Sequence, residues 1–507
     1  MCKTTMIKIS LRTLGFCLAQ ALLAAAVCLP AGARVLNICD DVADPLTLDP
    51  LKQFSDKNYT LCWQIFDGLV RFSPDGKIEP ALAVSWEKAG PDRLRFHLRE
   101  GVVFHNGEPF DAEAVRFSIA RYVSPETGFP GYYFIDSISH AEVVSRSVVD
   151  IVTRHPDALL LNRLAGLVLM LPPKYLTEKG PEYFAEHPVG TGAFVFKEWE
   201  KGRLVSFAAN KAYWMRGFPK VEGLTFNFIP YEKQVDALLS GAVDLLTDLP
   251  GTRTLQVKGD PRLAVLKKPS FYTMPVALRL SSGPLSDMNV RKALNHALNK
   301  ENLIRYDLLG NGIPVSTLSM PGEAGHNRDL KPYRYDPPLA RRLLAQAGFP
   351  KGLTLQAVIK RNAERAAKII VSDLKKIGVL VQTTVVPDAE LISAVKSGKY
   401  DMIMGSSPDP MCHAYFIQAI VLASGSPFAV DGDAKFDELL VEMVSAPDDG
   451  ASLKKAEALD AYVYRNAMSI FTYQKTRLYG LDKTLSFSPY LSGMPCFYSA
   501  EFSGRDI

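Results

Sequence analysis

Helix–glycine–strand units recur along this chain and limit the folds that it can adopt. The segment RAAKIIVSDLKKIGVLVQTTVV has helical apolar spacing up to Gly378 and continues directly as a strand rich in β-branched residues. The earlier segment DPPLARRLLAQAGFPKG places Leu339, Leu343 and Leu344 on one face and Gly348 just past the helix end. Alternation of this kind predicts an α/β fold in which helices cover the faces of a sheet.

Residues 93–122 predict a strand followed by a helix. Leu94, Phe96 and Leu98 alternate with polar residues in RLRFHL, which is the pattern of a half-buried strand. Asp111 precedes a stripe of apolar residues at spacings of three and four, so we expect it to cap a helix.

The first 33 residues predict export. They have a basic start, an apolar run from Leu14 to Leu29, and a final Ala31-Gly32-Ala33, the small-x-small pattern that a signal peptidase accepts. We therefore expect residues 1–33 to be a cleaved signal peptide and the protein to be periplasmic. Lipid attachment at Cys28 is the alternative. No later stretch approaches the roughly 20 apolar residues that a membrane span needs.

Charge and cysteine content limit which ligands and cross-links the sequence predicts. The formal net charge of +4 includes three basic and no acidic residues in the signal segment, so the exported chain is close to neutral and gives no indication of nucleic-acid binding. Cys39, Cys62, Cys412 and Cys496 remain after export. Four cysteines allow three disulfide pairings, and the sequence does not choose among them. No C-x-x-C spacing indicates a zinc site.

A series of motifs in fixed order covers most of the exported chain. They are LDP (48–50), IFDGLVRFSPDGKIEPALAVSWE (65–87), LRFHLREGVVFHNGEPFDAEAVRFSIARY (94–122), HPVGTGAF with NKAYW (187–214), ALLSGAVDLL (237–246), SDMNVRKALNHALNKENLI (286–304), YDPPLARRLLAQAGFPKG (335–352) and SDLKKIGVLVQ (372–382). This order closely resembles the family 5 extracellular solute-binding proteins, the dipeptide-, oligopeptide- and nickel-binding subunits of ABC importers. The glycines of GTG at 190–192 lack the lysine and the frame of a phosphate-binding loop.

The resemblance implies a two-lobed periplasmic-binding-protein fold of class II type, with α/β lobes joined by two crossing segments and the ligand between them. We expect the first lobe to be discontinuous and the second to be one segment, with a small domain inserted in the first. The predicted ranges are 34–80, 188–280 and 482–507 for the first lobe, 81–187 for the inserted domain and 281–481 for the second lobe.

Residues 398–416, GKYDMIMGSSPDPMCHAYF, match the stretch that ends a strand at the cleft in peptide-binding members. There, an aspartate pairs with the α-ammonium of the peptide. In this chain the loop is shorter, and the shortening removes that aspartate. The loop here contains Gly405, Ser406 and Ser407, and Asp409 matches the later DP of the family. We expect these four residues to form pocket wall.

Two arginines are candidates for binding an anion. Arg361 stands where dipeptide-binding relatives carry the arginine that pairs with a ligand carboxylate, although an arginine on a solvated loop is an equal alternative. Arg279 replaces an apolar residue of the family pattern. A pocket that keeps a carboxylate-binding arginine without the ammonium-binding aspartate predicts a carboxylate ligand that has no free α-amine.

Further wall candidates follow from the resemblance. Phe54 and Ser55 lie where relatives touch the ligand backbone, Tyr132 and Tyr133 lie in the inserted domain, and Tyr272 ends a strand before the first crossing segment. Each of these aromatic side chains could stack on a ligand or belong to the core.

The leading interpretation is a monomeric binding subunit that captures a peptide-like small solute without cofactor or catalysis and delivers it to an inner-membrane ABC permease. A metal-chelate, nickel or haem binder of the same family is the alternative, and Asp409, Cys412 and His413 would be its first candidate ligands. An exported hydrolase is a further alternative, but the sequence contains neither G-x-S-x-G nor H-E-x-x-H.

Overall fold

The computed structural model describes residues 34–40, 44–387 and 390–503, so the predicted signal peptide and Cys28 lie outside the described residues. The strands are β1 (Val35–Cys39), β2 (Val70–Phe72), β3 (Ile78–Pro80), β4 (Ala83–Gly90), β5 (Arg93–Leu98), β6 (Ile138–Ser145), β7 (Val148–Thr153), β8 (Phe194–Glu200), β9 (Leu204–Ala209), β10 (Gly223–Asn227), β11 (Leu245–Leu246), β12 (Leu263–Thr273), β13 (Val276–Leu278), β14 (Gly312–Pro314), β15 (Leu353–Lys360), β16 (Val379–Val386), β17 (Met402–Met404), β18 (Ser407–Pro408), β19 (Ser469–Ile470), β20 (Tyr473–Asp482), β21 (Leu485–Ser486) and β22 (Glu501–Phe502).

The helices lie between these strands. They are α1 (Asp56–Ile65), α2 (Ala112–Val123), α3 (Leu160–Leu167), α4 (Pro173–Lys179), α5 (Pro181–Glu186), α6 (Tyr231–Ser240), α7 (Thr254–Gly259), α8 (Met288–Ala297), α9 (Lys300–Asp307), α10 (Pro337–Gln346), α11 (Glu364–Lys375), α12 (Leu391–Lys396), α13 (Tyr415–Leu422), α14 (Ala434–Val444) and α15 (Asp449–Arg465). Within the described ranges, no helix is both long and apolar enough to cross a membrane.

The first large sheet has the order β18-β12-β20-β11-β1-β10-β9-β8, with β14 also paired to β20. Strand β1 runs parallel to β10 and β11, while β20 pairs antiparallel with β11 and β12. Strand β20 therefore brings a segment near the end of the chain into the middle of a sheet that begins with the first described residues.

The second sheet has the order β16-β15-β17-β13-β19. Strand β15 pairs in parallel with β16 and β17, and α11 connects β15 to β16. Gly348 follows the end of α10 with a φ of 88°, and Gly378 precedes β16 with a φ of 86°. Both glycines adopt the left-handed backbone that ends a helix before a strand, so the predicted helix–glycine–strand units are present.

A third sheet, β4-β5-β7-β6, is antiparallel and packs against α2. Phe96 and Leu98 are buried, and Leu94 is half-buried, so the predicted strand is confirmed. The Asp111 carboxylate accepts the backbone N–H groups of Glu113 and Ala114, which confirms the predicted helix cap.

Two short connections join the first and second sheets, as the predicted two-lobed fold requires. Strand β12 ends at Thr273 and β13 begins at Val276, while β19 ends at Ile470 and β20 begins at Tyr473. The two connections are hydrogen-bonded to each other. The Thr273 hydroxyl donates to the Tyr473 carbonyl, and the Thr472 hydroxyl donates to the Met274 carbonyl, both at 2.7 Å.

The predicted domain boundaries differ from this sheet membership. Strand β13 lies in the second sheet although residues 188–280 were assigned to the first lobe. Strand β20 lies in the first sheet although residues 281–481 were assigned to the second lobe. Pairing between strands that are far apart in sequence decides where each segment lies, and the order of motifs along the chain does not contain that pairing. The division into three domains stays a prediction.

The GTG segment serves packing. A Cβ atom on Gly190 would lie 2.1 Å from the Ile65 carbonyl oxygen, and one on Gly192 would lie 2.5 Å from the Ile65 carbonyl carbon. Both positions therefore require glycine because the end of α1 passes against them. His105 donates from Nε2 to the Gly192 carbonyl and accepts the Gly190 N–H at Nδ1, and burial lowers its pKa to about 4.

Candidate functional site

A cavity of about 540 Å³ lies where the first and second sheets meet. The first sheet contributes Tyr272 from β12 and Lys475 and Arg477 from β20, and the second contributes Ile403 from β17. The first turn of α1 and one face of α13 complete much of the wall. A ligand there would touch both sheets and both sides of the two crossing connections.

The wall from the first sheet and α1 is rich in charge, and we call it the polar wall; its charged members are Asp44, Asp56, Lys57, Asp248, Lys475 and Arg477. Lys475 and Arg477 are two residues apart on β20, so their side chains leave the same face of the sheet. The Lys475 ammonium lies 3.0 and 2.9 Å from the two Asp248 carboxylate oxygens. Burial alone would raise the pKa of Asp248, but Lys475 and Arg477 outweigh it and hold the pKa below its usual value.

Tyr272 lies beside both cations. The Lys475 Nζ is 5.5 Å from the centre of the Tyr272 ring, and the Arg477 Cζ is 5.6 Å from it. Both distances are within the range of cation–π attraction. The ring and the two cations therefore form one cluster on the cavity wall.

Arg477 is only 9% exposed, and its guanidinium is held in place. Its Nη1 donates to the Gly493 carbonyl at 2.9 Å, and its Nε is buried without a hydrogen-bond partner. A Cβ on Gly493, whose φ is 76°, would lie 3.2 Å from the Arg477 Cζ, so glycine makes room for the guanidinium. Burial lowers the pKa of Arg477, but Tyr479 and Asp248 more than offset that effect, so the side chain stays charged.

The segment at 405–408 forms an edge between the two sheets. Strand β18 pairs with the end of β12, placing Ser407 opposite Thr273 and Pro408 opposite Tyr272. The Ser406 N–H donates to Asn362 Oδ1, and Asn362 Nδ2 donates back to the Ser406 carbonyl, both at 3.3 Å. Gly405 leaves room for Lys360, whose Cδ would lie 2.6 Å from a Cβ at that position.

A second part of the wall is apolar, and we call it the apolar wall. Its members are Leu391, Ile403, Phe416, Ile420, Val421 and Phe428. Phe416 and Ile420 lie on one face of α13 because they are four residues apart, and Val421 follows Ile420. The ring centres of Phe416 and Phe134 are 4.5 Å apart, and those of Phe134 and Phe54 are 5.6 Å apart. The aromatic cluster fixes this wall against the rest of the fold.

Six of the predicted wall residues line the cavity: Phe54, Ser55, Tyr272, Gly405, Ser406 and Ser407. Ser55 is also the N-cap of α1, where its hydroxyl accepts the Asn58 N–H. The structure brings these residues together from three separate parts of the chain. Their role in binding stays a prediction.

Tyr132 and Tyr133 do not line the cavity. They begin the short 3₁₀ helix Tyr132–Phe134, and both are half-buried against the core. Tyr133 packs edge-on against Phe134 at 5.1 Å. Phe134, the last residue of this 3₁₀ helix, stacks against Phe54, which does line the cavity.

Neither predicted anion-binding arginine lines the cavity. The Arg279 Nη2 donates to the carbonyls of Gly398 and Tyr400 at 3.2 and 2.6 Å, so it stabilises the turn before β17. Arg361 is exposed at the start of a 3₁₀ helix, and its neighbours Lys360 and Asn362 contribute to the wall instead.

Asp409 is fully buried and belongs to a turn, so it does not form cavity wall. Its carboxylate accepts the N–H groups of Met411 and His413 at 2.7 and 2.8 Å. Burial raises its pKa to about 7, although these backbone donors and Glu323 lower it. Pro408 and Pro410, on either side of it, line the cavity.

The metal hypothesis for Asp409, Cys412 and His413 is wrong for this trio. Besides the two bonds to Asp409, the His413 Nδ1 accepts the Tyr415 N–H at 3.0 Å, and burial lowers the pKa of His413 to about 4. Cys412 is a buried free thiol, as is Cys62. Over the ranges 34–40, 44–387 and 390–503, no group of three metal-ligating side chains converges, and the four cysteines form no disulfide.

Sequence reasoning missed the charged cluster of Lys475, Arg477 and Asp248. One signal was available: in FTYQKTRLYGL, two cations stand at alternate positions of a strand whose two ends are rich in aromatic and aliphatic residues, which indicates a charged face inside the fold. This segment lies outside the family motifs of the sequence.

The sequence of this chain is similar to a family of known binding proteins. The sequence profile of the bacterial extracellular solute-binding proteins, family 5, matches residues 77–428. The glutathione-binding protein GsiB of Pectobacterium atrosepticum is 30% identical over 360 residues, covering 70% of this chain and 69% of that protein. Haem-binding protein A of Haemophilus influenzae is 28% identical over 442 residues, covering 80% of each.

A solved structure has the same fold. The ABC transporter-associated periplasmic binding protein DppA from Helicobacter pylori, in complex with the peptide STSA, superposes with a TM-score of 0.79 at 22% identity. The match covers 92% of this chain and 98% of that one.

Proposed function

This chain belongs to the bacterial extracellular solute-binding proteins of family 5, and we propose that it captures a peptide-like small solute for an ABC importer. The observation that carries the proposal is the cavity of about 540 Å³ with walls from both sheets. Pockets for small molecules commonly have volumes of about 300 to 1,000 Å³. A cavity between two lobes can also desolvate a ligand from two sides.

The peptide-like class rests on the relatives and on the wall. One relative is named for glutathione, which is itself a tripeptide, and the superposed structure holds a peptide. The wall combines charged side chains, a short strand edge at β18 and apolar side chains, which suits a ligand with ionic, amide and hydrocarbon parts. A second relative is named for haem, which makes a porphyrin the alternative outcome of the test.

Capture, delivery and location follow from the same proposal. We expect residues 1–33 to direct export to the periplasm, where the protein would act as a monomer and deliver its solute to an inner-membrane permease. We also expect no chemistry on the ligand. Among the described residues that line the cavity there is no histidine or cysteine.

Native mass spectrometry of the protein purified from the periplasm tests the proposal, with spectra taken before and after denaturation. We expect one or more small organic masses to be released from the unaltered protein. Ser407→Trp should abolish them because an indole at that position fills part of the cavity. Ser240→Trp, on the exposed end of α6, is the matched control and should retain them.

The outcomes separate the candidate functions. Peptide-like masses that disappear only in Ser407→Trp support capture in this cavity. An iron-porphyrin mass would move the assignment to haem. Masses that persist in Ser407→Trp would contradict the proposed site.

A further inference from the structure

The charges on the cavity wall are unevenly distributed. The lining contains four cationic side chains and three carboxylates. The cations are Lys57, Lys360, Lys475 and Arg477, and the carboxylates are Asp44, Asp56 and Asp248. All three carboxylates belong to the polar wall. Among the described lining residues from the second sheet and α13, Lys360 is the charged member, and no carboxylate is present.

Two of the carboxylates are already engaged by protein groups. Asp44 accepts the Trp199 Nε1–H and the Gly202 N–H, each at 2.7 Å. Asp248 accepts Lys475 on both oxygens. The remaining one, Asp56, lies in the first turn of α1, where the helix dipole favours a negative charge. Two of the three wall carboxylates are therefore satisfied by protein groups, and the charge of Asp56 contributes to the raised pKa of Arg477.

The stretch 405–409 strengthens this conclusion. The residues of this stretch that face the cavity are Gly405, Ser406, Ser407 and Pro408, and all of them are uncharged. The carboxylate of Asp409 is buried in its own turn and accepts backbone N–H groups there. A free α-amine of a ligand would find hydroxyl and carbonyl oxygens at this edge and no anion.

Arg477 lies nearly buried in the cavity wall. Its charge is buried, its Nη1 is satisfied by a neutral carbonyl, and its Nε has no acceptor. The Nε is enclosed by protein, and Asp248, Asp40 and Asp56 already act on the charge of the guanidinium. The part of Arg477 that lines the cavity would still gain from a charge-assisted hydrogen bond to an anionic oxygen of a ligand. Lys475 and the Tyr272 ring stand beside it, and Gly493 fixes the guanidinium from behind.

We propose that this cavity selects solutes with an anionic group, bound at the Arg477–Lys475–Tyr272 cluster, and an apolar group, bound at the apolar wall, and that it requires no free α-amine. An N-blocked or otherwise amine-free carboxylate with a hydrocarbon side group fits this description. The inference rests on the proposed function and adds the class of substrate to it. It also assigns anion recognition to β20, at the opposite sheet from Arg361.

Calorimetric titration of the exported chain, freed of bound solute, with four matched probes tests the inference. The probes are N-acetyl-phenylalanyl-leucine, its C-terminal amide, N-acetyl-glycyl-glycine and phenylalanyl-leucine. We expect the first to bind about tenfold or more tightly than its amide, because a charge-assisted hydrogen bond is lost in the amide. N-acetyl-phenylalanyl-leucine should also bind more tightly than N-acetyl-glycyl-glycine, because only the former has side chains for the apolar wall. Its affinity should be at least equal to that of phenylalanyl-leucine, which carries a free amine.

Two variants locate the anion site. Arg477→Gln should remove most of the preference for acid over amide, whereas Arg361→Gln, an exposed arginine outside the cavity, should keep it. Arg477→Lys, which keeps the charge, should restore part of the preference. The comparison of acid with amide on the unaltered chain needs no variant, so it decides the question even where Arg477→Gln does not fold.

Several results would overturn the inference. They are equal affinity for acid and amide, equal affinity for the glycine probe, a marked preference for the free amine, or no binding of any probe. None of these results contradicts the capture of a solute, which the released masses judge separately.

Discussion

Asp409 and Glu323 are two buried carboxyl groups directly behind the cavity wall. Glu323 accepts the Met320 N–H at 2.7 Å through Oε2, and its side chain also contacts the Asp409 carboxyl. Burial raises the pKa of Glu323 well above its usual value, and the neighbouring Asp409 raises it further. The pKa of Asp409 is itself raised to about 7. The folded protein therefore holds protons here that the unfolded chain releases near pH 4.

The sign of the resulting pH dependence follows from that difference. Because the folded pKa values exceed the unfolded ones, stability is greatest below about pH 4 with respect to this pair and falls as the pH rises towards 7. Glu323→Gln removes one of the two ionisable groups. The free energy of unfolding of the variant minus that of the parent should therefore increase by about 1 kcal/mol or more from pH 4.5 to pH 8. Urea unfolding at both pH values measures this gain.

Glu457→Gln, on the exposed face of α15, is the control and should shift stability by the same small amount at both pH values. A stability difference between Glu323→Gln and the parent that does not change with pH would contradict the proposed pair.

At the scale of elements, Asp67 joins three separate segments of the chain. Its carboxylate accepts the Thr191 hydroxyl at 3.1 Å, the Tyr213 hydroxyl at 3.1 Å and the Trp214 Nε1–H at 2.9 Å. These donors come from the GTG and NKAYW segments, and Asp67 comes from IFDG. Three motifs that are far apart in sequence therefore meet at one structural contact.

Asp67→Ala should destabilise the protein by about 3 kcal/mol or more, because it leaves the hydroxyl of Tyr213 and the indole N–H of Trp214 without their acceptor. Asp75→Ala is the matched control. Its carboxylate is 71% exposed and pairs with Lys268, so the expected loss is under about 1 kcal/mol. Chemical denaturation of both variants measures the two losses. Equal losses would show that the Asp67 contact is not a structural junction.

Elements were easier to predict from the sequence than sites. The helix–glycine–strand units depend on local spacing, and Gly348, Gly378 and Asp111 lie where that spacing places them. Arg477 could not be placed in the same way, because it reaches Tyr272 only when β20 pairs with β12. Arg361 was a candidate by its position in a motif, and a turn of the 3₁₀ helix leaves it in solvent.

At the scale of the molecule, the cavity depends on the two connections that cross between the sheets. Strands β12 and β20 reach the cavity just before and just after these crossings, and hydrogen bonds from Thr273 and Thr472 hold the crossings together. A ligand that contacts both sheets would therefore favour an arrangement in which the lobes are close, which is how hinge closure is driven.

Hydrogen–deuterium exchange, with the released solute added back to the solute-free protein, tests the central claim most directly. The account predicts slower exchange in segments of both walls, at residues 53–59 with 272–273 on one side and 403–407 with 415–422 on the other. Protection confined to one wall, or to a surface away from the cavity, would contradict capture between the two sheets.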